Sequence, residues 1–169
     1  MIQELTRSHL AQWAAASKAS NKPMDFYIHV KRYAFDVAQY VLLGLELPAE
    51  ETDRFVELFD DTISGMSSIL PLNLPGLAFH HSLQSRKTLV KEYQKIIDTR
   101  RGELKSGRVP SSMLDAMLME EKGSGKDAEA LLQDFCVSMM FAGHDTTLST
   151  VQTSLYWLSR LPESEVAEL

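Results

Sequence analysis

One cysteine, Cys136, stands in 169 residues, and that scarcity excludes an internal disulfide and a cysteine-based zinc site. No run of about 18 apolar residues exists, and Glu4 and Arg7 interrupt the first segment, so no membrane span or signal peptide is visible. Excess positive charge is missing as well. Seventeen basic residues against 23 acidic leave −6, which excludes the electrostatic footprint of a nucleic-acid binder. Strand-type alternation is scarce, and there is no internal repeat. What is present is 44% apolar and 24% charged residues, ordinary for a globular domain, in a length that buries one sizeable core.

The apolar residues recur at helical spacing along most of the chain. Ile2, Leu5, His9, Trp13 and Ala16 share a face of a first helix that ends before Ser20-Asn21-Lys22-Pro23. Met24 to Tyr27 reads as a short extended piece. Val30, Tyr33, Val37 and Val41 mark a second helix, closed by Gly44 as a C-cap. Phe55, Leu58, Phe59, Thr62, Ile63 and Met66 mark a third. The segment from Ser67 to Leu77 carries the turn signal Pro75-Gly76, yet it is more apolar than a solvent loop should be. A fourth helix carries Leu83, Val90, Tyr93, Ile97 and Leu104. Its basic face of Arg86, Lys87, Lys91, Lys95 and Arg101 reads as solvated rather than as a dock for an anionic membrane. A short helix around Met113 to Met119 leads to the linker-like Gly123-Ser124-Gly125. Asp127 or Ser124 then caps a final helix running to about Arg160, roughly 50 Å long at 1.5 Å per residue.

That last helix contains the most informative stretch, Ala142-Gly143-His144-Asp145-Thr146-Thr147. Gly costs about 1 kcal/mol against Ala in a helix interior, and Thr is a poor helix former. An unpaired buried Asp costs more. Three local rules broken at one point mark a functional site; the plainer alternative is a small-residue crossing point between packed helices. Ala142 and Thr146, four apart, share a face, so the Thr146 hydroxyl reaches the Ala142 carbonyl. Asp145 points about 100° away. One residue can face a ligand in a groove while its neighbour faces water, and that arrangement suits proton delivery.

Phe141-Ala142-Gly143-His144-Asp145-Thr146-Thr147 resembles the oxygen-activation motif of the cytochrome P450 monooxygenases, Ala/Gly-Gly-x-Asp/Glu-Thr-Thr/Ser on their long central helix. Tyr156 to Glu163 resembles the end of that helix and the start of the next. Tyr33-Ala34-Phe35-Asp36-Val37 with Leu42-Leu43-Gly44-Leu45-Glu46 resembles the family's E helix. Leu70 to Gly76, then Phe79-His80 and Arg86-Lys87, resembles its F–G loop, in the manner of the branch that hydroxylates retinoids, sterols and other terpenoids. The resemblance covers essentially all 169 residues. It implies a mainly α fold made of the D to I helices, the distal and lid side of the cytochrome P450 fold, truncated at both ends. Residues 1–169 would then be one partial catalytic domain. The family's proximal cysteine loop is not in this chain. Glu4-Leu5-Thr6-Arg7 and Glu51-Thr52-Asp53-Arg54 fit its Glu-x-x-Arg pair by letter only, since both precede the central helix.

The resemblance further implies a haem-dependent monooxygenase whose parent enzyme hydroxylates an apolar terpenoid, sterol or retinoid-like substrate. Its electrons would come from a reductase or ferredoxin, and this chain alone would be inactive. Asp145 and Thr146 would be catalytic, Thr146 holding a water in the distal pocket and Asp145 gating protons from solvent. Ala142, Gly143, Thr146 and Thr147 would contact the haem, the first two leaving room for dioxygen. Ser138, Phe141, Ile69, Leu72 and Leu74 would line the substrate pocket, with residues 69–77 as its lid or else folded onto the core. No metal ligand is assigned. Cys136 reads as a small core residue, because the family's central helix covers the haem face opposite the axial thiolate. His80-His81 and His144 read as loop and helix-surface residues. A bacterial parent would be cytoplasmic; a eukaryotic one would sit on the endoplasmic reticulum membrane. The alternative from another class is a non-catalytic helical module that cannot hold haem and at most binds lipophiles or a partner protein.

Overall fold

The computed structural model describes residues 2–20, 24–65, 68, 71–120 and 125–162. Among them the chain forms helices α1 (Ile2–Ser20), α2 (Phe26–Ala38), α3 (Ala49–Ser64), α4 (Ala78–Lys105), α5 (Met113–Glu120) and α6 (Lys126–Leu158), with a π-helical turn (Gln39–Leu43) extending α2. No strand occurs among the described residues. Of Met24 to Tyr27, Asp25 is extended but Phe26 and Tyr27 are helical: the Asp25 side chain accepts a hydrogen bond from the Tyr27 N–H and starts α2 at Phe26, the work of an N-cap. At the other end of this segment Gly44 sits at φ 67° and accepts the left-handed C-cap role its type suits.

Between those caps the buried face of α2 steps from Val30 to Ala34 to Ala38, and then five residues on to Leu43. The five-residue step is the π turn. It rotates the face past Val41, which is left outward at 43% exposure although the helical spacing places it inward. π turns of this kind gather at functional sites, and this one packs against α6.

The longest helix, α6, buries Leu132, Cys136, Met140, His144 and Leu148, one side chain every four residues along one stripe. Two clusters sit on that stripe. The larger joins Phe35, Phe55, Phe59, Leu89, Tyr93 and Ile97 to Cys136 and Met140, and the smaller joins Trp13, Val30 and Ala34 to Leu148. Tyr93 and Cys136 are held in their neutral forms by burial, the thiol pushed up to about 12. The helix starts after Gly125 with no side-chain cap; Asp127 lies in its first turn instead, where a carboxylate favours the N-terminal dipole. Ser124 and Gly123 lie outside the described residues, as does Met66.

At one corner Arg100 is buried at 5% exposure. It donates to the carbonyls of Leu43 (3.2 Å) and Gly44 (2.7 Å), and its Nε lies 3.4 Å from the fully buried Asp115. Asp115 in turn accepts from the Ser111 and Ser112 N–H groups. Three elements are tied there. The basic face of α4 is largely neutralised within the chain: Arg86 meets Asp134, Lys95 meets Glu92 and Arg101 meets Glu129. No helix among the described residues is long and apolar enough to cross a membrane.

Candidate functional site

α6 presents different chemistry on its two open sides. On one side Ala142 and Thr146 are exposed, and the Thr146 hydroxyl donates to the Ala142 carbonyl at 2.7 Å. The same bond repeats one and two turns on, from Thr150 to the Thr146 carbonyl (2.7 Å) and from Ser154 to the Thr150 carbonyl (2.8 Å). A groove of about 720 Å³ continues along Ser149, Thr150, Thr153, Ser154 and Trp157. No side chain on this face is larger than threonine until Trp157, so a broad flat ligand can lie against the helix.

Gly143 is not part of that face. A Cβ built there would meet Leu42 Cδ1 at 2.9 Å and Ala38 Cβ at 3.6 Å, so its missing side chain lets α6 close onto α2 and the π turn. The space beside Gly143 is used for helix packing, while Ala142 is exposed. Thr147 is half-buried, and by helical angle it lies toward the Gly143 side.

The opposite flank carries Asp145, whose side chain is 49% exposed. Phe141 and Ser138 lie four and seven residues before it and share this flank. Both open into a cavity of about 290 Å³ with Phe59, Thr62, Ile63, Phe79, Leu83 and Val137 from α3, α4 and α6. Leu72 and Leu74 do not line it; they stand 51% and 56% exposed. Residues 71–76 are all exposed, so this part of the loop does not fold onto the core. Ile69 lies outside the described residues. His80 sits in the first turn of α4, not in a loop, and its Nδ1 is 2.7 Å from Asn73 Oδ1.

His144 overturns the surface assignment. It is 2% exposed, wedged edge-on between Phe35 (5.5 Å) and Phe59 (5.7 Å). Neither ring nitrogen has a hydrogen bond; Nδ1 lies 3.3 Å from Asp145 Oδ1 without hydrogen-bond alignment. Burial is the main influence and lowers the imidazole pKa below its ordinary value, against the upward pull of Asp145. The sequence held a signal for this: His144 is four residues from both Met140 and Leu148. Histidine's polarity concealed it. Among the described residues no three His, Cys, Asp or Glu side chains converge as metal ligands.

The family model described as cytochrome P450 matches residues 1–167. An abscisic acid 8'-hydroxylase 2 of Arabidopsis thaliana is 31% identical over 163 residues, 95% of this chain and 32% of the relative. A β-amyrin 11-oxidase of Glycyrrhiza uralensis is 28% identical over 145 residues, 83% of this chain and 29% of the relative. The structure of a retinoic acid-bound cyanobacterial CYP120A1 superimposes with a TM-score of 0.65 at 26% identity, covering 89% of this chain and 32% of that one. The chain thus spans about a third of the length of these proteins. Its helix order, its central motif and these matches agree: the chain belongs to the cytochrome P450 family.

Proposed function

We propose that this chain forms the distal, substrate-facing part of a haem monooxygenase that hydroxylates an apolar substrate of terpenoid, sterol or retinoid type. The observation that carries the reading is the division of labour on α6. Thr146 stands on an open face of small residues, while Asp145 stands half-exposed on the flank shared with an apolar cavity. The substrate class rests on the names of the relatives, which include a β-amyrin oxidase and a cholesterol 22-hydroxylase of Paris polyphylla. The lining of the 290 Å³ cavity is apolar save for Thr62, Ser82, Ser138 and Arg86, as pockets for such ligands are.

When bound, haem would supply the oxygen-activating redox chemistry, with electrons from a reductase or ferredoxin. Ala142 and Thr146 hold the space beside it, Thr146 Oγ1 fixing a water. Asp145 exchanges protons with solvent and passes them around the helix to that water. Phe141 and Ser138, with Phe59 and Phe79, position and desolvate the substrate, and the exposed Leu72 and Leu74 are available to a lid over it. Cys136 takes no part. Thr146→Ala in the haem-loaded parent tests the reading. Electron consumption should persist while hydroxylated product falls and peroxide rises; unchanged coupling of electrons to product would overturn it.

A further inference from the structure

His144 is, among the described residues, the side chain that is almost fully buried with both of its polar atoms unpaired. Each unpaired buried group costs about 1–3 kcal/mol, and phenylalanine would fill the same aromatic slot without that cost. Phe35 and Phe59 meet the ring at 75° and 88°, which fixes its plane and so the direction of Nδ1. That atom stands 3.3 Å from Asp145 Oδ1. The other charged groups facing the ring are Lys31 of α2, whose main-chain carbonyl also favours a proton on it, and Asp60 of α3, paired with Lys31. A neutral imidazole carries one donor and one acceptor and exchanges them by changing tautomer.

We propose that His144 is a positioning residue for Asp145: Nδ1 donates to the carboxylate when Asp145 is ionised and accepts from it when Asp145 is protonated, keeping the carboxyl group on its flank of α6 in both states. A small rotation of the half-exposed Asp145 side chain aligns the two atoms, the ring staying where Phe35 and Phe59 hold it. Burial keeps the ring neutral, so it orients the carboxylate without locking it in a permanent ion pair. The importance of this for catalysis rests on the proton-gating role of Asp145 given above; the coupling of the two side chains does not.

The test is nitrogen-15 spectroscopy of the chain labelled at histidine, followed from about pH 4 to about pH 8, with His144→Phe identifying the signal. His144 should stay neutral below the ordinary histidine range. Its Nδ1–H tautomer should predominate, and Asp145→Asn, which offers a donor to Nδ1, should shift the ring toward the Nε2–H form. A tautomer ratio unchanged by Asp145→Asn, or a His144 ring that charges within the ordinary histidine range, overturns the proposal. In the haem-loaded parent, His144→Phe should keep the fold and flatten the pH profile of turnover, and His144→Gln should restore part of it; equal profiles for wild type and His144→Phe while Asp145→Asn is slowed also overturn it. Tautomer coupling with wild-type turnover in Asp145→Asn would remove the proton-gate reading and leave the positioning intact.

Discussion

Arg100 and His144 are both buried nitrogen-bearing side chains on long helices, each beside an aspartate, and the fold treats them in opposite ways. Arg100 has two backbone carbonyls, Glu103 and Asp115 around its guanidinium. His144 has two aromatic edges and one misaligned carboxylate oxygen. A buried charge is tolerated when it is paired and hydrogen-bonded, and the Arg100 guanidinium meets that condition while closing α4, α5 and the end of the π turn together, although Asp115 Oδ1 faces it without an aligned hydrogen bond. An unsatisfied buried group calls for another explanation. The first arrangement fastens helices; the second sits next to the residue with the strongest chemical candidacy.

The contrast breaks most directly by mutation of Arg100. Arg100→Met leaves Asp115 buried without its partner, and losing one member of a buried pair costs about 3–5 kcal/mol. Denaturant unfolding should show that loss or no cooperative transition at all, whereas His144→Phe should hold or raise the midpoint. Equal losses for the two would erase the distinction. Next comes Asp145→Asn in the haem-loaded parent, where removing one general acid–base step slows the reaction by about 100-fold or more; oxygen uptake measured against reducing equivalents checks it. An undiminished rate would return the motif to a packing role.

The fold was legible wherever the four-residue stripe was continuous. The α6 stripe, the Gly44 cap and the Thr146–Ala142 bond follow from spacing and residue type alone. The π turn was not, because inserting one residue into a helix is decided by what packs on it, here α5 and α6 around Leu42 and Leu43. Arg100 and His144 were both hidden by their polarity, although each continues a buried stripe, Leu89–Tyr93–Ile97 and Cys136–Met140 respectively. Within the site, Ala142, Asp145 and Thr146 fell where their helical angles place them, 100° or four residues apart. Gly143 did not, since nothing in one sequence says which neighbour a missing side chain admits.

Acid and alkali sharpen the same comparison with smaller effects. His144 has a lowered pKa in the folded chain, so the unfolded chain takes up the proton first as pH falls through the ordinary histidine range. Stability should drop there, by up to about 1.4 kcal/mol per pH unit, and His144→Phe should remove that part of the slope. Cys136 and Tyr93 have raised values, so the unfolded chain loses protons first and stability should fall as pH rises above their ordinary values of 9.0 and 10.0. Native Cys136 should resist thiol reagents until the chain unfolds, which a colorimetric thiol assay reads. Gly143→Ala should cost least, about 1 kcal/mol, because the flexible tip of Leu42 can move to admit one methyl group.

The hydroxyl ladder along the open face of α6 gives that face a direction. A threonine or serine hydroxyl has one hydrogen to give, and in Thr146, Thr150 and Ser154 that hydrogen is already committed to a carbonyl one turn back. What remains outward is lone pairs. At rest the face is an acceptor surface, and a water arriving at Thr146 must approach hydrogen-first, with its own oxygen turned away from the helix. For Thr146 to act as a donor it must first release the Ala142 carbonyl, an exchange of one hydrogen bond for another with little net change. The helix thus carries its own latch, one that sets which end of a water points at the space beside Ala142.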